Sequence, residues 1–156
     1  MYEESLQLYL QVLAVFIQLY SSDHIDTIYA LINIGDILLD ENENFEQALD
    51  FYQKSLTMLE RSYPSYYVYI ANNLNLIGNV LGQQMKFDQV LEIYNRVLKI
   101  QEDFYSPEHI ELIDTLANIS HILSTQEKID QALVFSQRIL TIRQNNSSSD
   151  QINIKH

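Results

Sequence analysis

One period governs this chain. Phe45-Glu-Gln-Ala-Leu49 returns as Phe87-Asp-Gln-Val-Leu91 and again as Ile129-Asp-Gln-Ala-Leu133, 42 residues apart each time. Tyr2-Glu-Glu-Ser-Leu6 is a further copy, 43 residues ahead of the first. The extra residue falls in Asp40-Glu-Asn-Glu-Asn44, opposite the shorter Gln83-Gln-Met-Lys86. A second block keeps the same phase: Leu31-Ile-Asn-Ile-Gly35, Leu74-Asn-Leu-Ile-Gly78 and Leu116-Ala-Asn-Ile-Ser120. A fixed period in this range describes a supersecondary unit that cannot bury its apolar face alone and stacks on copies of itself.

Each unit reads as two helices. In the second helix, Phe45, Ala48, Leu49, Tyr52, Leu56 and Leu59 advance by steps that keep one face apolar at 3.6 residues per turn. Phe87, Val90, Leu91, Tyr94, Val97 and Leu98 do the same, as do Ile129, Ala132, Leu133, Ile139 and Leu140. In the first helix the stripe is Ile28, Leu31, Ile34, Gly35 and Leu38, repeated by Ala71, Leu74, Ile77, Gly78 and Leu81. No period-two alternation is sustained. Helices are expected at 2–20, 26–40, 44–61, 66–84, 86–104, 108–125 and 128–144. The fold class is therefore all-α, an α-solenoid of antiparallel helix pairs. Its repeat domain covers 2–144: a half repeat at 2–20, then repeats 26–61, 66–104 and 108–144. The polar stretch 145–156 has too little apolar surface to offset its ordering entropy and is expected to be disordered.

Small residues recur in phase as well. Gly35, Gly78 and Ser120 share one position of the first helix; Ala48, Val90 and Ala132 share one of the second. An interior helix Gly costs about 1 kcal/mol relative to Ala, so these two positions are expected to face each other where the pair closes. Gly78 and Gly82 also form G-x-x-x-G, which here implies close packing at most. Ser22 or Asp23 suits the cap of the helix starting near Asp26, and Pro64 and Pro107 mark passages between helices. The run from Leu6 to Tyr20, broken by Gln7, Gln11 and Gln18, is too short to span a bilayer and reads as a deeply buried helix.

Composition narrows the function. There is no Cys, hence no disulfide, thiol catalyst or cysteine zinc site. Three Gly supply neither a G-x-G-x-x-G nor a P-loop fingerprint. Lys and Arg total 9 against 21 Asp and Glu, a net charge of −12 that disfavours nucleic acid and anionic membrane as partners. The acidic start, Met1-Tyr-Glu-Glu, lacks the basic region of a secretory signal, so a cytoplasmic location is expected. His24 and His109 lie in corresponding loops, but Tyr67 stands there in the middle unit, and no HExxH or GxSxG pattern is present. The chain is not expected to be an enzyme or to carry a cofactor or metal.

Leu74-Asn-Leu-Ile-Gly-Asn-Val-Leu81 followed by Phe87-Asp-Gln-Val-Leu-Glu-Ile-Tyr94 and Val97-Leu98 resembles a tetratricopeptide repeat. Ile34-Gly35, Ala48, Tyr52 and Leu56 carry the likeness in the preceding unit, and Ile119, Leu123, Ala132 and Leu140 in the next. The 42-residue length and Pro107-Glu-His-Ile-Glu111 resemble the kinesin-light-chain type. A HEAT-type array, another two-helix solenoid of similar period, is the alternative. Val90 and Ser120 depart from the family's small residues, and Tyr63-Pro-Ser-Tyr-Tyr-Val-Tyr69 replaces its Asp-His-Pro-Asp element.

The resemblance implies a right-handed solenoid whose first helices line a concave peptide groove. By helical period the groove face is Tyr29, Asn33, Asp36 and Asp40, then Asn72, Asn75, Asn79 and Gln83, then Asp114, Asn118, His121 and Thr125. None of the nine Lys and Arg lies inside a first helix. The acidic ligands that related domains hold with Lys and Arg are therefore not carried over, and a neutral or basic peptide segment is expected. The leading function is a protein-binding scaffold or adaptor; the alternative is an oligomerising or regulatory segment of a longer protein whose catalysis lies elsewhere. Tyr63, Tyr66, Tyr67 and Tyr69 read as packing between stacked units. The apolar N-terminal helix, and Val134, Phe135 and Ile142 in the last one, are expected to be exposed at the ends of the array and to support self-association or cover by a partner.

Overall fold

The structure is a computed structural model and describes residues 2–19, 24–42 and 44–153. Seven α-helices follow one another among these residues: α1 (Tyr2–Leu19), α2 (Ile25–Asn42), α3 (Phe45–Ser62), α4 (Tyr67–Gln83), α5 (Phe87–Phe104), α6 (Ile113–Thr125) and α7 (Ile129–Asn153). A 3₁₀ turn at Ile110–Leu112 leads into α6. No strand occurs among the described residues. The chain divides into two compact units, Met1–Gln84 and Met85–His156, so the expected repeat 66–104 has its first helix in one unit and its second in the other.

In the N-terminal unit each helix packs on the next in sequence, α1 on α2, α2 on α3 and α3 on α4. The expected stripe of α2 is buried throughout, at Ile28, Leu31, Ile34, Gly35 and Leu38. Ala48, Tyr52, Leu56 and Leu59 of α3 meet it, and Ala71, Leu74, Ile77 and Leu81 of α4 extend the core. Gly35 is packed differently from expectation. A Cβ built on it would lie 2.5 Å from Cε1 of Tyr52 and 2.9 Å from Cζ, so the space is taken by the Tyr52 ring, one turn beyond Ala48. That ring is fully buried. Only a glycine leaves room for it.

Polar groups lock the same region. Tyr52 Oη donates to Asp36 Oδ1 at 2.5 Å. Ser55 Oγ donates to the Tyr52 carbonyl at 2.8 Å and accepts from Asn73 Nδ2 across α3 and α4. Asn73 is therefore a core residue, and this bond is the return for its poor helix propensity.

α1 is not the deeply buried helix that its composition suggests; it is exposed, as expected of a helix at the end of the array. None of its described residues is fully buried, and Leu8, Leu10, Val15, Ile17 and Leu19 are exposed. Among the described residues it packs chiefly on α2, which covers one side of a helix that is apolar nearly all round. A cleft of about 410 Å³ remains between it and the next pair, with Leu13, Ile17, Leu31 and Met58 in its lining. At Gly82 nothing lies within 4 Å of where a Cβ would be, so this glycine of the G-x-x-x-G pattern makes no close contact.

In the C-terminal unit α5 packs on α6 and α6 on α7. Val90, Tyr94, Val97 and Leu98 are buried as expected, with Leu116, Ile119, Ile122 and Leu123 of α6. The stripe of α7 is only partly covered: Ala132 is buried, whereas Ile129, Leu133 and Leu140 are more than half exposed. α7 packs chiefly on α6 and beside the 3₁₀ turn, and these exposed residues lie on its uncovered side. Ile142 runs the other way, buried at 0% exposure where exposure was expected. α7 does not stop near 144 but continues to Asn153, and Asn145 and Asn146 donate to the Glu108 carboxylate and carbonyl at 2.8 and 3.3 Å. Those bonds tie this end of α7 to the 106–109 loop. Residues 154–156 lie outside the described part of the expected tail.

The turns follow simple chemistry. Pro64 and Pro107 each stand second in a four-residue turn, closed by Tyr66 N to Tyr63 O at 2.9 Å and His109 N to Ser106 O at 3.0 Å. Met85 and Glu127 end α4 and α6 in the left-handed region, at φ 57° and 60°, a place usually taken by Gly. Ser22 and Asp23, the expected caps of α2, lie outside the described residues. The Asp26 amide instead donates to His24 Nδ1 at 3.3 Å.

Candidate peptide-binding face

The three predicted stripes occupy first helices, as their period requires. Tyr29, Asn33 and Asp40 of α2 are exposed, with Asp36 half-buried between them. On α4, Asn72, Asn79 and Gln83 are exposed and Asn75 is half-buried, its amide oxygen without a hydrogen-bond partner. These two stripes belong to the N-terminal unit. Asp114, Asn118, His121 and Thr125 of α6 are exposed in the C-terminal unit. Thr125 Oγ1 is engaged by the carbonyl of His121 at 3.0 Å, a helical back-bond that leaves it a weaker contact candidate.

Asp36 is the most constrained of these residues. Its carboxylate is gripped from the core side by the Tyr52 hydroxyl. Burial, and then this hydrogen bond, push the Tyr52 phenol far above its ordinary range, so it stays a donor at any physiological pH. The equivalent positions in the other units are Asn79 and His121.

Aromatic rings extend the α2 stripe. Tyr29 meets Tyr69 edge-on, with centroids 6.1 Å apart. Tyr69 lies 5.7 Å from Tyr66, and Tyr66 lies 5.2 Å from Tyr63. The expectation that this cluster is packing holds only in part, since Tyr63 and Tyr67 are half-buried whereas Tyr29, Tyr66 and Tyr69 are 40%, 45% and 43% exposed. Sequence reading left Tyr69 out of the candidate face. The signal was there: Tyr69 precedes Asn72 by three residues on the same helix and so continues its stripe.

Charge is divided unevenly between the units. Up to Gln84 there are eleven Asp and Glu against two Lys and Arg; from Met85 there are ten against seven. The two N-terminal cations, Lys54 and Arg61, are both on α3. Lys54 pairs with Asp50 at 2.6 Å and lies over the Phe51 ring. In the C-terminal unit Arg138 bridges Glu102 at 2.6 Å and the Pro107 carbonyl at 3.1 Å.

The two loop histidines have matching structural duties. His24 Nδ1 accepts from the Asp26 amide and His109 Nδ1 from the Glu111 amide, both at 3.3 Å, so each caps the helical turn that follows. Among the described residues, no group of three or more His, Asp and Glu is placed to hold a metal ion.

The sequence matches the tetratricopeptide repeat model over residues 1–61 and 69–145. The chain belongs to the tetratricopeptide repeat family. Among curated proteins no sequence match is found. Solved structures share the fold. The kinesin light chain "nearly identical TPR-like repeats" of Podosopora anserina superpose with a TM-score of 0.76 at 12% identity, covering 93% of this chain and 68% of that one. BtubC (BKLC) of P. vanneervenii gives 0.79 at 17% identity, covering 94% and 58%. The apo form of RapI gives 0.72 at 20%, covering 94% and 51%. The chain thus has the tetratricopeptide repeat fold, an interaction-scaffold fold that it shares with those kinesin-light-chain repeats. No described helix is long and apolar enough to cross a membrane.

Proposed function

We propose that this chain is a cytoplasmic, non-enzymatic adaptor. Its first-helix face on α2 and α4 binds a neutral or basic peptide segment of a partner protein. The observation that carries the reading is the placement of charge. The stripe offers Asp36, Asp40 and a row of Asn and Gln, with no Lys or Arg on either helix. Asn amides both donate to and accept from an extended backbone, and the carboxylates favour cationic side chains. The α6 stripe, with Asp114 and Asn118, has the same character in its own unit. The test compares charge-matched basic and acidic peptides for binding to wild type and to an Asp36→Ala, Asn79→Ala variant. The basic peptide is expected to bind more tightly and the variant to lose it; equal or tighter binding of the acidic peptide refutes the proposal.

A second reading rests on α1. Its five exposed apolar side chains, Leu19 at 70%, suit burial by a second copy or by a further part of a longer protein. Sedimentation across concentrations tests it: Leu8→Glu with Ile17→Glu is expected to abolish any association, and a wild-type chain that stays monomeric throughout removes the self-association arm.

A further inference from the structure

Three exposed tyrosines, Tyr29, Tyr66 and Tyr69, form a row on the N-terminal unit. Tyr66 falls in the segment between the two matched stretches, and Tyr69 opens the second. They pack on one another, yet each keeps two-fifths or more of its surface in water. A contiguous row of solvated aromatic rings is uncommon on a surface that has no partner, and Tyr is enriched where proteins bind. The row also has a charge setting. It stands in the strongly acidic unit, with Asp26 one turn before Tyr29 on α2. Exposed phenol rings set edge-on and tilted to one another, at 76° and 37°, leave ring faces open in an acidic unit, and an open face suits a planar cation. Guanidinium stacks on such rings and is weakly hydrated, whereas ammonium is a compact, strongly hydrated point charge.

We infer that Tyr29, Tyr66 and Tyr69 form a stacking platform for an arginine side chain of the bound segment, with Asp36 receiving a second cation farther along α2. This rests on the reading that the α2 and α4 face binds peptides. Tyr29 and Asp36 are seven residues apart on one helix, roughly 10 Å along its axis. An extended chain covers roughly 10 Å in three residues. The occupant is therefore a partner's extended segment with cationic residues spaced by three, arginine at the aromatic end.

The probes are labelled nonapeptides, (Arg-Gly-Ser)3, (Lys-Gly-Ser)3 and (Glu-Gly-Ser)3, titrated by fluorescence anisotropy. Arginine is expected to outbind lysine by about three- to tenfold, since the two peptides share charge and differ in stacking. Tyr69→Leu and Tyr29→Leu are expected to erase that preference and Tyr69→Phe to keep it. The exposed positions make these variants safe for folding, and circular dichroism checks it. If the Tyr→Leu variants keep the arginine preference while Asp36→Ala weakens binding, the platform is wrong and the peptide-binding face stands. If neither change matters, or wild type binds none of the peptides, both are wrong. Tighter binding of (Glu-Gly-Ser)3 overturns both as well.

Discussion

The pairs α2/α3 and α6/α7 occupy equivalent places in the repeat and close in different ways. In α2/α3 a buried tyrosine ring fills the space over Gly35 and sends its hydroxyl out to Asp36. In α6/α7 both members have changed. Ser120 stands for Gly35 and Ser136 for Tyr52, and the hydroxyls meet at 2.9 Å while Ser120 Oγ also donates to the Ala132 carbonyl at 3.0 Å. A large residue and an absent side chain have been exchanged for two small polar ones. The position is thus constrained as a pair, by the volume and hydrogen bonds the two residues jointly supply, and neither residue is constrained alone.

The sharpest way to break this comparison is a double-mutant cycle measured by urea denaturation. Tyr52→Ser empties a core site and is expected to cost about 3–5 kcal/mol, as for other large aromatic truncations. Gly35→Ser overfills the pair and is expected to cost about 1–3 kcal/mol, because the ring it meets is fully buried and has nowhere to move. Together they reproduce the residues of α6/α7 and are expected to cost less than the two losses added. Strict additivity would mean that the two positions do not sense each other.

A gentler test uses pH. Burial raises the phenols of Tyr52 and Tyr94, and the Asp36 bond adds to the effect at Tyr52. Both ionise more readily in the unfolded chain, so above their ordinary value near 10 the unfolded state holds fewer protons. Stability is then full below that pH and declines as pH rises past it. Ser136 gives α6/α7 no such group. Tyr52→Phe is expected to lose less stability than wild type between about pH 8 and pH 11 by chemical denaturation. An identical decline would place the sensitivity elsewhere, in Tyr94 for example.

The smallest effect concerns the turn that closes α6/α7. Glu127 holds a left-handed backbone that costs an L-residue about 1–2 kcal/mol, offset in part by the entropy that Gly loses on folding. Glu127→Gly is expected to raise stability by up to about 1 kcal/mol, and Met85→Gly to behave alike. A loss on either substitution, read from the melting temperature, would point to side-chain contacts that outweigh the strain.

Much of this architecture was legible from the period alone. Steps of three and four place Leu31, Ile34 and Leu38 on one side of α2 and Asn33 and Asp40 on the other, and both sides lie as the arithmetic requires. What periodicity does not carry is which neighbour covers a stripe. α1 has the composition of a core helix and is exposed because, among the described residues, α2 is the element that packs substantially on it. Leu133 and Leu140 repeat the spacing of Leu49 and Leu56 but emerge on the bare side of α7. Near-equivalent small residues also concealed a substitution of partners: aligning Gly35 with Ala48 was reasonable by size, yet the tyrosine one turn on fills the space. The candidate face was legible as a set of positions. Its aromatic extension was not, because tyrosines near a turn look the same in sequence whether they pack inward or stand in solvent. The helical end of α7 was missed because Asn and Ser weaken helices locally, and the bonds of Asn145 and Asn146 to Glu108 are made 37 and 38 residues away.

The Gly35–Tyr52 fit also bears on how the units diverged. Two of the three units hold Gly with Tyr at these positions and the third holds Ser with Ser. A duplicated unit that replaced the glycine first would pass through a crowded ancestor, and one that replaced the tyrosine first through a hollow one. Either single replacement crosses a weakened form, so exchanging both residues of the pair together is the less costly route.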